Sequence, residues 1–95
     1  MKFQDLTFTK NDMGGWYSRT DLGNNIQLSV VAGEFPYSTP RENLSDPYSY
    51  SKYEIAIFRD GEFTKDFFDP DHNDDVMGWV DKTEIESIIK KILES

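Results

Sequence analysis

The sequence predicts a small α+β domain, an antiparallel β-meander of four to five strands with one C-terminal helix packed on a face. Three observations predict it: short stretches of alternating apolar residues, turn residues between them, and one segment with helical apolar spacing. A chain of 95 residues has the size of one domain, so residues 1–95 are expected to share one core. Seven Phe, five Tyr and two Trp compensate for an apolar fraction of only 37%, because each ring removes a large area from water.

A helix is predicted over residues 82–94. Asp81 is a suitable N-cap, and Glu84 stands three residues later, as in a capping box. Val80 and Ile85 occupy the two positions of a hydrophobic staple. The apolar residues of the segment recur at helical spacing and form one stripe, which consists of Ile85, Ile88, Ile89, Ile92 and Leu93. The stripe is expected to pack on a sheet.

Strands are predicted at about residues 3–9, 15–20, 25–33, 52–58, 62–68 and 76–80. In the third, Ile26, Leu28 and Val30 alternate with other residues and are expected to point inward. The Asp60-Gly61 dipeptide favours a tight turn, which predicts a hairpin of the fourth and fifth strands. The last stretch is either a short strand or an extended lead into the helix. A strand at 62–68 would lie at an edge, where it could pair with a second copy in a homodimer.

Residues 34–51 form an unusually long predicted loop with three prolines and no clear periodicity. Its aromatic residues argue against disorder, because disordered segments are poor in aromatics. One interpretation is an ordered loop folded over the sheet. In the alternative interpretation, Tyr37, Tyr48 and Tyr50 are anchors for a partner, accompanied by Arg41, since Tyr and Arg are enriched at the energetic centres of interfaces.

The net charge of −8 lies entirely in one segment. Residues 60–86 contain ten Asp or Glu and two Lys, whereas the rest of the chain has eight acidic and eight basic residues. Such a field disfavours direct binding to nucleic acid and favours a basic protein partner. The sequence has no apolar run long enough to span a membrane, no signal-like N-terminus and no cysteine, which together favour the cytoplasm. No cofactor is expected.

The stretch Asp69-Pro-Asp-His-Asn-Asp-Asp75 holds the only histidine of the chain. Asp69, Asp71 and Asn73 match the first ligand positions of an EF-hand loop, but its required Gly and Glu are replaced by Asp74 and Val80. A looser divalent-cation site at Asp69, Asp71, Asn73 and Asp75 is one alternative, and turn formation before the helix is the other. Catalysis by His72 with a carboxylate is a third hypothesis, but no nucleophile motif accompanies it, so we expect no enzyme.

Three segments carry a resemblance to a known group of proteins. They are Gly23-Asn-Asn-Ile-Gln-Leu-Ser-Val-Val31 with Tyr53-Glu-Ile-Ala-Ile-Phe58, and Asn73-Asp-Asp-Val-Met-Gly-Trp-Val80 before the helix. In this order they resemble small, uncharacterised proteins of phages and prophages over about residues 23–93. The loop 34–51 and the first 20 residues depart from that pattern. The resemblance implies an accessory protein of a mobile element that blocks a host machine, as anti-CRISPR and anti-restriction proteins do.

Charge and resemblance together predict a non-catalytic inhibitor in the host cytoplasm. It would occlude the basic surface of a host nucleic-acid-handling protein such as a nuclease, and its carboxylates would act as a DNA mimic. The expected partner-binding residues are Asp66, Asp69, Asp71, Asp74, Asp75, Tyr37, Tyr48, Tyr50 and Arg41. The opposing interpretation of the acidic segment is a solvated face that keeps the protein soluble.

Overall fold

Antiparallel strands and one C-terminal helix make up the fold, in a computed structural model that describes residues 1–12 and 14–95. The strands are β1 (Thr9–Lys10), β2 (Trp16–Asp21), β3 (Ile26–Ala32), β4 (Lys52–Arg59), β5 (Glu62–Phe63) and β6 (Val76–Asp81), and the helix is α1 (Lys82–Glu94). The sheet has the order β1-β2-β3-β4-β5, and β6 also pairs with β4. The predicted α+β fold is confirmed, with six strands, two of which are only two residues long.

Tight turns set the register of the central strands. The β2–β3 turn holds Asn24 and Asn25 at φ values of 55° and 62°, a left-handed conformation that Asn tolerates better than most residues. The β4–β5 turn places Asp60 and Gly61 at 54° and 82°, as expected for Asp-Gly in a two-residue hairpin loop. The turn predicted from the sequence at 60–61 is therefore present, and a second tight turn joins β2 to β3.

The core lies between α1 and one face of the sheet. Ile26, Leu28 and Val30 of β3 are buried on this face, as predicted from their alternation. They pack in one cluster with the buried helix residues Ile85, Ile88, Ile89 and Ile92. Leu93 departs from the predicted stripe because it is 51% exposed. In the described residues, no helix is long and apolar enough to cross a membrane.

Helix α1 begins where the sequence predicts it. The Asp81 carboxylate accepts a hydrogen bond of 2.8 Å from the backbone N–H of Glu84, which satisfies one of the donors left free at a helix start. Val80 and Ile85 are both buried at the junction of strand and helix. This cap fixes the end of β6 and therefore the position of the residues just before it.

The predicted strand over residues 62–68 is wrong beyond Phe63. The Thr64 N–H still bonds to the Ile57 carbonyl, but the chain then turns, and the Phe68 N–H donates to the Lys65 carbonyl at 3.0 Å. The turn carries Phe68 into the core, where its burial outweighs further edge pairing. On the same edge of β4, residues 52–56 pair with β6 instead. The long edge strand on which the homodimer prediction depended is absent.

The N-terminal segment also differs from its predicted strand over residues 3–9. Residues Phe3–Asp5 form a 3₁₀ helix, and only Thr9 and Lys10 pair with β2. Phe3 and Leu6 are both buried, a spacing of three that suits a helical turn rather than strand alternation. The Phe3 N–H donates to the Glu86 carboxylate at 2.6 Å, which ties this turn to α1.

The segment 34–51 packs against the sheet through several hydrogen bonds. Ser38 is buried, and its hydroxyl donates to the Gly33 carbonyl and accepts from the Gly33 N–H, at 3.0 and 3.1 Å. Farther along, the Trp16 indole donates to the Leu44 carbonyl at 2.9 Å. Thr39 forms a bridge with Lys52 at the start of β4. These contacts hold the start of the loop, including Tyr37, beside β6.

Candidate functional site

A β-bulge in β6 is the main irregularity of the sheet. Between the pairs Tyr53–Val80 and Ile55–Met77, β6 has two residues where β4 has one. The second of these two, Trp79, has φ 54°, and the residue is 53% exposed. The other non-glycine residues described with positive φ are Asn or Asp, which tolerate this conformation, whereas a bulky aromatic residue in it is a true outlier. The bulge therefore presents Trp79 to solvent at a conformational cost.

Tyr37 of the long loop packs on this bulge. Its ring stacks on Trp79 with centroids 4.8 Å apart and planes 28° apart, and its carbonyl accepts the Trp79 N–H at 2.9 Å. A Cβ added to Gly78 would lie 2.6 Å from the Tyr37 Cβ, so only glycine allows this approach. The stack remains accessible, because Tyr37 is 45% exposed. The bulge and the loop thus build an exposed platform of two aromatic rings.

Arg41 extends this platform. Its guanidinium lies 5.5 Å from the centroid of the Tyr37 ring and donates to the Phe35 carbonyl at 3.0 Å. The Phe35 side chain is also exposed. Tyr37 and Arg41, both predicted as partner-binding residues, are therefore neighbours on one surface. Trp, Tyr and Arg are the residue types that most often dominate the energy of protein interfaces.

The platform forms one wall of a groove of about 530 Å³. We call it the β6 groove, and it is lined by Tyr37, Asp69, Asp71, His72, Asp74, Val76, Met77, Gly78 and Trp79. The structure thus brings three of the predicted aspartates, Asp69, Asp71 and Asp74, to the same place as Tyr37. All three are exposed, and no ion pair with a described residue engages them. The groove therefore combines negative charge with exposed aromatic surface.

Two other predicted aspartates lie outside the β6 groove. Asp66 forms an ion pair with Arg59, the one ion pair among the described residues, and Arg59 also lies over the Phe67 ring. Asp75 is exposed at the end of the acidic loop, but it does not line the groove. Asp66 is thus already neutralised by its neighbour, and Asp75 is left as a peripheral charge.

Two tyrosines predicted as anchors for a partner have packing contacts: Tyr50 is buried, which argues against this role, and Tyr48 is half-buried. Tyr50 is only 1% exposed, and its hydroxyl donates to the Glu42 carbonyl and accepts from the Leu44 N–H. Tyr48 packs edge-on against Phe3 and Phe8. Both rings hold the loop 34–51 on the core. Their aromatic character reflects packing, which the sequence could not separate from partner binding.

His72 has a structural role in the acidic loop. Its Nε2 lies 2.8 Å from the Val76 carbonyl oxygen, and because a carbonyl only accepts, Nε2 carries the proton. The ring also meets Phe68 edge-on at 5.1 Å. These contacts fold residues 69–76 back onto the start of β6. Because Nε2 is occupied, the geometry gives no support to a general base acting through that nitrogen.

The cation-site alternative is not supported by the arrangement of the loop. Within residues 1–12 and 14–95, no group of three or more His, Asp or Glu side chains is placed so that it could hold a metal ion. The four proposed ligands, Asp69, Asp71, Asn73 and Asp75, are all exposed. They lie along the loop rather than around a common point.

Trp79 is a site residue that the sequence did not predict. The signal was Gly78, because a glycine inside a strand pattern often marks a bulge or a close backbone approach. In Val76-Met-Gly-Trp-Val80 this glycine does both, but its partner, Tyr37, is 41 residues earlier in the chain, so local sequence could not identify the approach.

Comparisons with protein families, curated proteins and solved structures give no match for this chain. Its function is therefore inferred from the geometry of the β6 groove.

Proposed function

We propose that this protein is a non-catalytic inhibitor that binds a basic surface on a nucleic-acid-handling protein and blocks it. The β6 groove would be the contact surface. The single observation that carries the proposal is the combination, in one groove, of three carboxylates without an ion-pair partner among the described residues and an exposed Trp79 in a strained backbone conformation. Strained residues cluster at ligand-binding sites, where strain is retained because it places a side chain for its role.

Electrostatics favour a basic partner over other classes. The segment 60–86 carries the whole net charge of −8, and the β6 groove contains three of its aspartates. Carboxylates in this setting attract the Arg and Lys side chains that would otherwise neutralise nucleic-acid phosphates. Like-charge repulsion would exclude direct binding to DNA or RNA. A nuclease or another nucleic-acid-binding protein fits these requirements.

The biological setting is part of the proposal. From the sequence motifs within residues 23–93 we propose a mobile-element accessory protein, like the small phage and prophage proteins that these motifs resemble, acting in the cytoplasm of a host cell. Inhibitors of the anti-CRISPR and anti-restriction type are the functional class that this setting and the acidic groove favour together, with DNA mimicry as the mode of action. A host defence nuclease is then the expected target.

A charge-neutralised variant tests the electrostatic part. The partner is first captured from bacterial lysate at low salt, and its affinity is then measured for the wild type and for Asp69→Asn/Asp71→Asn/Asp74→Asn. Exposed charge pairs contribute about 0.5 kcal/mol each, so the triple variant should bind about tenfold more weakly. Its affinity should also depend less on salt, because fewer charges remain to be screened.

A matched control removes the same charge elsewhere in the acidic segment and at the chain end. The variant Asp60→Asn/Glu62→Gln/Glu94→Gln changes the net charge equally, but none of its residues lines the β6 groove. It should retain most of the wild-type affinity. Equal losses in the two variants would show that net charge alone drives association, and an unchanged affinity in the groove variant would remove the electrostatic account.

A further inference from the structure

Every arginine in this chain lies over an aromatic ring. Arg19 lies 4.1 Å from the centroid of Phe58, and Arg41 and Arg59 each lie 5.5 Å from a ring centroid, on Tyr37 and Phe67. Tryptophan binds cations most strongly of the aromatic side chains. Yet in the part of the chain that the structure describes, no cation lies over Trp79, which is 53% exposed. Tyr37 covers one face of this indole, so a cation from another molecule would bind on the opposite face.

The surroundings of Trp79 suit a guanidinium better than an ammonium. A guanidinium that stacks flat on the indole keeps its N–H donors at its edge, where they need acceptors. Asp69, Asp71 and Asp74 line the same groove, and carboxylates accept such donors in pairs. A lysine ammonium would gain the charge attraction but not the flat stacking or the paired hydrogen bonds. The aromatic wall of the groove and its carboxylates therefore both suit a guanidinium.

The size of the groove indicates more than one side chain. Its volume of about 530 Å³ lies within the range of about 300–1,000 Å³ that is typical of ligand sites. A segment of polypeptide with an arginine and its flanking residues would fill this volume. We infer that the β6 groove receives an arginine-centred segment of a basic protein, with the guanidinium over Trp79 and its donors on the groove aspartates. This inference rests on the proposed function and specifies the group that is recognised.

Short peptides provide a direct test on the intact protein. Three peptides of the same length carry a central arginine, lysine or citrulline between glycines, and citrulline keeps the shape of arginine without its charge. Binding is followed through the two indole N–H signals in ¹⁵N-resolved NMR spectra. Trp16 is the internal control, because its indole is half-buried and donates to the Leu44 carbonyl.

We expect the arginine peptide to shift the Trp79 indole signal at millimolar concentration and to leave the Trp16 signal in place. The lysine peptide should bind more weakly, and citrulline should weaken binding by about two- to fivefold, as expected for loss of a cation–π contact at an exposed site. Trp79→Leu should abolish the response of the acidic-loop backbone signals. Phe63→Leu, which alters a ring of similar exposure on β5, should preserve it.

Three results would overturn the inference: no shift at millimolar arginine peptide, equal affinity for the citrulline peptide, or a response at Trp16 alone. The failure of this inference can be told apart from failure of the proposed function. If the peptides fail while the charge-neutralised groove variant loses the captured partner, a basic surface is bound without an arginine anchor. If the groove variant keeps full affinity as well, both proposals fall.

Discussion

Substitutions of Trp79 test whether the bulge holds this residue in a costly backbone conformation. At φ 54°, an L-residue with a side chain incurs a steric penalty that glycine does not. The variants Trp79→Gly and Trp79→Ala remove the same ring and the same stacking on Tyr37. The difference between their free energies of unfolding therefore isolates the backbone conformation of this residue.

The magnitude of that difference is set by two opposing effects. The left-handed conformation costs alanine about 1–2 kcal/mol relative to glycine. Glycine loses more conformational freedom on folding, which favours alanine by about 0.4–1 kcal/mol. The difference between the midpoints of these ranges makes Trp79→Gly more stable than Trp79→Ala by about 0.8 kcal/mol. Position 63 is the matched control, because Phe63 is similarly exposed but lies in β5 without a positive φ. There the order should reverse, with alanine more stable than glycine.

Urea denaturation followed by circular dichroism measures these differences. Because the four variants are compared in pairs, errors of extrapolation to water largely cancel when the m-values agree. If Trp79→Ala were as stable as Trp79→Gly or more stable, Trp79 would not be held in a costly conformation. The exposure of its ring would then give no support to a functional role.

Two further predictions concern the scaffold. Asp81→Ala should lower the free energy of unfolding by about 1 kcal/mol, because the side-chain cap on the Glu84 N–H is lost; an unchanged urea midpoint would contradict this role. Burial raises the pKa of Tyr53 well above its usual value, so Tyr53 stays protonated in the folded state while the unfolded chain ionises. Its contribution to stability is then complete below about pH 10 and decreases above it, where the unfolded state releases its proton. As the pH of thermal melts is raised from about 9 to 11, the Tyr53→Phe variant should therefore lose less stability than the wild type. Equal losses in the two proteins would show that Tyr53 is not the group responsible.

Regular elements were predictable because their burial follows a simple period. Helix α1 occupies residues 82–94 as predicted, since its cap and apolar stripe lie within the segment itself. The same holds for β3, whose alternating residues face the core. The strand predicted over residues 62–68 was too long because the Asp60-Gly61 turn indicates where a hairpin begins but not where its second strand ends, which depends here on how Phe68 reaches the core. That contact is set by the rest of the fold and leaves no local signature.

The candidate site was only partly predictable, for the same reason. Charge density singled out the acidic loop, and the structure places Asp69, Asp71 and Asp74 beside Tyr37. Composition could not distinguish Tyr37, which is exposed, from Tyr50, which is buried. Nor could it reveal Trp79, whose exposure arises from a bulge and from a loop distant in sequence. The exposed positions of Tyr37 and Trp79 both depend on long-range packing of the segment 34–51.

Site-specific photo-crosslinking tests most directly whether the β6 groove is the contact surface. A photoreactive phenylalanine derivative is placed at position 79 or, as control, at position 63, where the native side chains are 53% and 51% exposed. After irradiation in bacterial cells, position 79 should capture one basic nucleic-acid-binding protein, and position 63 should not. Equal capture of that protein at both positions, or capture of only acidic proteins at position 79, would contradict the account.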